Sequence, residues 1–166
     1  MNTIGNAARG TRLAELGGIV AKADAVVRSI ATPSLTQLVL RLGLATPFFR
    51  SGILKWDGFL QLNATAIYLF SSEFKLHLPG GPYSFPAPEV VAFLSGCAEV
   101  GLPVLLVLGL ATRFAALGLL VMTVVIELTV PEAWPLHITW AAMALAIIAG
   151  GAGRLALDHL IARRFA

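Results

Sequence analysis

Four charged side chains stand among apolar neighbours: Arg41, Arg50, Glu99 and Glu127, with His137 close by and Trp140 one helical turn after it. At mid-depth in hydrocarbon an ionisable residue costs about 2.5–3.5 kcal/mol or more, so such groups turn inward and take partners. An arginine, two carboxylates and an imidazole around one cavity can hold a polar head group or relay a proton. The same residues can equally be ion pairs that fix helix register. Trp140 is either an aromatic belt residue or a platform on which a quinone ring stacks.

Other chemistries are excluded by residue type. Cys97 is the sole cysteine, so there is no internal disulfide, CxxC pair or thiolate metal cluster. No protein metal site is expected. His77 and His159 fall on opposite sides of the expected topology, which leaves no bis-histidine haem. HEXXH, P-loop, GxSxG and GxGxxG signatures are absent, so no catalytic residue is assigned.

The elements that must position these residues follow from composition. Of 166 residues, 57% are hydrophobic and 13% charged, against about 25% charged in an average soluble domain. The apolar residues fall in blocks long enough to cross a hydrocarbon core about 30 Å thick. The expected fold is all-α, an integral-membrane four-helix bundle with spans at about residues 35–54, 90–110, 114–130 and 136–150. The first, broken by Arg41, Pro47 and Arg50, has the weakest hydropathy. Pro103 lacks an N–H and frees the carbonyl of Glu99, as Pro47 does for Gly43; two opposed kinks leave room for a small ligand.

The net charge of +3 comes from twelve Lys and Arg residues dispersed around the apolar blocks. They form no basic stripe for nucleic acid and read as topology signals. Four of them precede the first span, Arg113 lies in the second turn, and Arg154, Arg163 and Arg164 lie in the tail. The opposite side has Lys55 and Lys75 against Asp57, Glu73, Glu89 and Glu132. Both termini are therefore expected on the cytoplasmic side of the membrane. A rise of about 1.5 Å per residue then sets Arg41 near ~10 Å from the cytoplasmic edge, Glu99 near ~16 Å, and Arg50, Glu127 and His137 near ~21–24 Å. A lower Arg41–Glu99 pair and an upper Arg50–Glu127–His137 trio are expected.

Residues 1–33 form an N-terminal arm without the continuous apolar core of a signal peptide. Its apolar positions 13, 16, 20, 23, 27 and 30 make one helical stripe, suited to a membrane interface or to packing on the bundle. The connection 55–89 is too long for an idle linker and reads as a folded outer cap. Its 59–70 segment is apolar enough for an interfacial helix and 73–78 alternates like a strand. Residues 34–160 make the main domain and 161–166 a cytoplasmic tail.

Several blocks carry a more specific resemblance: RxGxxxxFFRSGxxK from Arg41 to Lys55, CAEVGLPVLLVLGLATRFAALGLL from Cys97, PEAWPLHITWAA from Pro131, and GxGRLALDHL at the end. The chain resembles the DoxX family of small bacterial membrane proteins over about residues 35–160. The resemblance implies a four-helix inner-membrane bundle, and an association with quinone- or thiol-linked oxidoreductases and oxidative stress. Positions matching the family's polar pattern are Arg50, Gly52, Lys55, Glu99, Arg113, His137 and Asp158. Of these, Arg50, Glu99 and His137 are the site candidates, while Arg113 reads as a turn anchor and Asp158 as a tail residue near Arg154.

The expected function is a redox-associated membrane subunit with a polar ligand site in the outer half of the bundle, lined by Arg50, Glu99, Glu127, His137 and Trp140, for which a quinone is the fitting cofactor. Arg41 is the structural ion-pair candidate. The alternatives are a non-enzymatic scaffold that docks a partner oxidoreductase, and a small-solute or metal transporter. The bilayer is the primary partner, a homodimer is open, and nucleic acid is not expected.

Overall fold

The computed structural model describes residues 3–165, with side chains from Leu16 onward. Helix α1 spans Thr3–Ile30. All its side chains from Leu16 to Ile30 are exposed, so the stripe is not packed against other helices; its first member, Leu13, lies outside the described side chains. Helix α2 spans Pro33–Ile53. Thr32 caps it by accepting the Leu35 N–H at 3.4 Å, and Pro33 supplies the fixed φ that suits a first helical position.

Three further long helices follow: α4 (Pro88–Leu108), α5 (Thr112–Thr129) and α6 (Trp134–Gly150), the last preceded by a single 3₁₀ turn at Pro131–Ala133. These three, with the 3₁₀ turn joined to α6, are long and apolar enough to cross a membrane. α2 has the length but not the apolarity, because Gln37, Arg41 and Arg50 interrupt it. Even so, α2 packs along α4 and α6, and α5 along the same two helices. Leu44, Ala45 and Phe48 of α2 meet Leu106, Ala115, Ala116, Leu119, Ala144 and Ile147 in one dry core. Small alanines on α5 and α6 let the helices approach closely, the usual means of packing where lipid removes the hydrophobic drive.

The connection from Lys55 to Ala87 is folded. A short antiparallel pair, β1 (Trp56–Gly58) with β2 (Gln61–Leu62), leads into α3 (Ala64–Tyr68) and a π turn at Leu69–Glu73; β3 (Lys75–Leu76) then pairs with β4 (Tyr83–Ser84). The helix expected over 59–70 is thus replaced by a hairpin and a shorter helix. Asn63 is the cause: its side chain accepts the Ala66 N–H at 2.7 Å and donates to the Leu54 carbonyl at 2.6 Å, which caps α3 and ties it to the end of α2. The strand expected over 73–78 is reduced to two paired residues. Phe70, Phe85 and Ala92 form a second core with Leu62, Phe74, Leu76 and Val91, seating the cap on the N-terminal half of α4.

Helix α7 (Leu157–Phe165) closes the described chain. Its Asp158 is more than a tail residue. The N-cap of α5 is Ala111, which has no side chain to accept an N–H. Asp158 fills that role from 46–47 residues away, accepting the Ala111 and Thr112 N–H groups at 2.8 and 2.9 Å while its own N–H bonds the Gly109 carbonyl at 2.8 Å.

Candidate functional site

The position of α2 against α4 is set by Gly52. A Cβ there would lie 2.8 Å from the backbone carbon and Cβ of Glu99, so only glycine allows this approach. The helices therefore meet with the last turn of α2 level with the middle of α4. Lys55, one residue past the C-cap of α2, lies directly over Glu99.

The resulting pair is almost dry. Lys55 Nζ stands 2.5 Å from Glu99 Oε2, with 13% and 5% of the two side chains exposed. Lys55 also donates to Ser51 Oγ at 3.1 Å, and Ser95 donates to Glu99 Oε1 at 2.8 Å. Each charge thus has its counter-charge plus one hydroxyl, the condition under which a buried pair can persist.

This pair forms the polar end of an apolar cavity of about 300 Å³ between α4 and α5. Phe70, Phe74 and Phe85 of the cap roof it, and Ser95, Met122 and Ile126 are among its lining residues. Leu94, Val121 and Val125 also line it and are exposed on the outer surface, so the cavity opens sideways between the two helices. Such a shape admits a molecule dissolved in the bilayer, with its hydrogen-bonding end against Glu99, Lys55 and Ser95.

The sequence expectation distributed the charges differently. Arg41 does not pair with Glu99, because the α2–α4 register brings Gly52, not Arg41, level with it. Arg41 is completely buried one helix end away. Its guanidinium donates to the carbonyls of Leu106 (3.2 Å), Val107 (3.3 Å) and Leu155, tying α2 to the end of α4 and to the tail. Gly109, at φ +69°, leaves the room that Arg41 and Ala156 occupy. Nor does Arg50 join Glu127 and His137: it is exposed on the outward seam of α2 and α4.

Glu127 and His137 do meet. His137 Nδ1 lies 2.7 Å from Glu127 Oε2, joining α5 to α6. Trp140 packs with its ring centroid 5.1 Å from His137 and 5.1 Å from Phe48, so it faces the bundle and is no simple belt residue. This cluster lines none of the cavities described, whereas Glu99 does. Lys55 is the cavity-lining residue that sequence reasoning misplaced, as an outer-loop charge. The signal available was FFRSGxxK itself, in which lysine stands three residues after the glycine that permits contact.

Outside the spans two groups have shifted ionisation: the Tyr68 hydroxyl, raised by its hydrogen bond to Glu73, and Asp158. Burial by itself would raise the Asp158 pKa, but the N–H bonds from Thr112 and Ala111 and the nearby Arg41 charge together hold the carboxyl below its ordinary value. Among the described residues no cluster of three or more His, Cys, Asp or Glu side chains is placed to hold a metal ion.

No solved structure matches the chain. An uncharacterized protein of Haemophilus influenzae is 28% identical over 136 residues, covering 76% of this chain and 83% of that protein. The DoxX family profile matches residues 36–132, from the start of α2 through the 3₁₀ turn before α6, which takes in Lys55, Glu99 and Glu127. With its three apolar helices and this match over more than half its length, the chain is a membrane protein belonging to the DoxX family.

Proposed function

We propose that the protein is a redox-associated membrane subunit that binds a bilayer-soluble ring compound, a quinone being the fitting example, in the cavity between α4 and α5. The observation that carries this reading is the Lys55–Glu99–Ser95 group at the closed end of an otherwise apolar cavity that opens toward lipid. A quinone carbonyl accepts hydrogen bonds, and Lys55 is a donor held in place by its own counter-charge. The reduced hydroquinone form donates instead, and Glu99 accepts. One pair thus serves both states of a ring that gains two electrons and two protons from an external donor.

In this reading α2, α4, α5 and α6 all cross a bacterial inner membrane. Both termini lie in the cytoplasm, residues 34–160 form the working domain, and α1 lies in the cytoplasmic interface with its apolar stripe toward the acyl chains. The low apolarity of α2 is offset by its neighbours: Arg41 is buried against carbonyls and Gly52 against α4. Glu127, His137 and Trp140 brace α5, α6 and α2 beside the cavity and do not touch the ligand.

The test is native mass spectrometry with lipid and quinone extraction on the wild type, Glu99→Gln and Val125→Trp proteins. A stoichiometric small ligand in the wild type, lost in Val125→Trp without loss of folding, is the expected result. Wild-type protein that carries no ligand and gains no thermal stability from added ubiquinone or menaquinone would leave the second reading: a non-enzymatic scaffold, favoured by the way each ion pair satisfies itself.

A further inference from the structure

We propose that the outward seam of α2 and α4 receives a membrane-spanning helix of a partner protein, and that this helix carries a carboxylate level with Arg50. Arg50 is exposed, and among the described residues no carboxylate lies within ion-pair distance of it. It lines an apolar groove of about 340 Å³ with Leu42, Thr46 and Phe49 of α2 and Pro103 and Val104 of α4. The contacts of Gly52 with Glu99 and of Arg41 with the Leu106 carbonyl bracket Arg50 along the axis. It therefore stands beside the interior of α4, the most apolar of the three span-grade helices. A guanidinium at this level, pointing away from its own bundle, meets acyl chains unless something acidic covers it.

The rest of the face says what the cover is. Leu35, Val39, Leu42, Thr46, Phe49 and Ile53 recur at alternating steps of four and three and are all exposed. That is the repeat by which one helix packs along another for several turns. A second copy does not complete the site: a two-fold contact on this seam offers Arg50 only the seam's own residues, and no carboxylate is among those that line it. A lipid phosphate neutralises an arginine near a head group but has no use for a stripe of six positions of matched spacing. The proposal rests on α2 lying in the bilayer beside α4, and is independent of what occupies the cavity between α4 and α5, which lies on another face.

The experiment reconstitutes the full chain, as Thr46→Cys in a Cys97→Ser background, into phosphatidylcholine vesicles. The probe is a synthetic Leu/Ala helix of about 20 residues bearing one central Glu and one cysteine; its twin has Gln for Glu. Disulfide crosslinking at position 46 is expected to favour the Glu helix about tenfold over the Gln helix, in line with the strength of polar pairing between helices in lipid. Leu145→Cys, exposed on α6, shows no such preference. Arg50→Gln removes the preference, and Arg50→Glu transfers it to a helix with a central Lys, which guards against a variant that merely misfolds. Equal crosslinking of the Glu and Gln helices to the wild-type face overturns the proposal. So does loss of the preference when phosphatidylglycerol is added, since Arg50 then belongs to lipid phosphate. Capture of a ligand in the cavity reads out separately through Val125→Trp, so one idea can fail without the other.

Discussion

Lys55 and Glu99 are separated by 44 residues of chain and by 2.5 Å in space, so the start of the outer cap and the middle of α4 share one ion pair. Removing one partner strands the other charge in a dry site. Glu99→Gln or Lys55→Met is expected to cost about 3–5 kcal/mol of stability, whereas Lys55→Met with Glu99→Leu recovers most of it, because an apolar pair needs no desolvation. Thermal unfolding in detergent, followed by circular dichroism, measures all three. Additive losses in the double variant would mean that the two residues act separately.

Gly52 and Gly101 make a matched test of helix approach. A methyl at Gly52 meets Glu99 and Val100 below 3 Å, while one at Gly101 meets nothing within 4 Å. Gly52→Ala is expected to lose about 1–3 kcal/mol by overpacking, and Gly101→Ala to melt with the wild type. Equal melting of both variants would show that α2 and α4 do not close on each other here.

Asp158 carries a pH signature. Its carboxyl titrates below the ordinary value of 3.8, so the stability it contributes is fully present above that value and disappears as pH falls through the lowered one. Asp158→Asn should therefore lose about 1–3 kcal/mol near neutral pH, with the gap to wild type closing only in strong acid. Melting both proteins from pH 7 down to pH 3 checks the sign: a gap that widens on acidification contradicts it.

His137 and Glu127 give a prediction of the opposite kind. They bridge α5 and α6 with a 2.7 Å contact and do not line the cavity, so His137→Phe with Glu127→Leu should lower the melting temperature or leave it unchanged while ligand recovery stays at the wild-type level. Loss of ligand in a variant that still folds would bring this cluster into the binding site.

The helices were legible in the sequence because lipid demands long apolar blocks, and α2, α4, α5 and α6 begin and end within a few residues of the expected spans. Individual partners were harder. Depth along an axis was estimated by counting residues from assumed membrane edges, and the count took α2 and α4 to enter the bilayer at the same level. In fact the Gly52–Glu99 contact places the end of α2 opposite the middle of α4, a staggered alignment that hydropathy does not encode. That stagger moves Glu99 from Arg41 to Lys55. It also turns part of a supposed outer loop into packing against α4, as Trp56 shows by stacking edge-on with Phe93, 5.5 Å between centroids. The Glu127–His137 contact survived because both residues lie next to the short connection between α5 and α6, where register has little room to drift.

The carboxylate that caps α5 has a bearing on how the chain is made. Asp158 is translated 46 residues after Thr112, an interval on the order of seconds at usual rates of synthesis. Throughout it, the first amides of α5 have no side-chain acceptor, and Arg41 waits for the Leu155 carbonyl. This end of the bundle is closed by the segment around Asp158, reaching back to α5 and α2. A chain cut before Asp158 keeps all of α4, α5 and α6 but leaves the start of α5 without the carboxylate that locks it to the rest of the bundle.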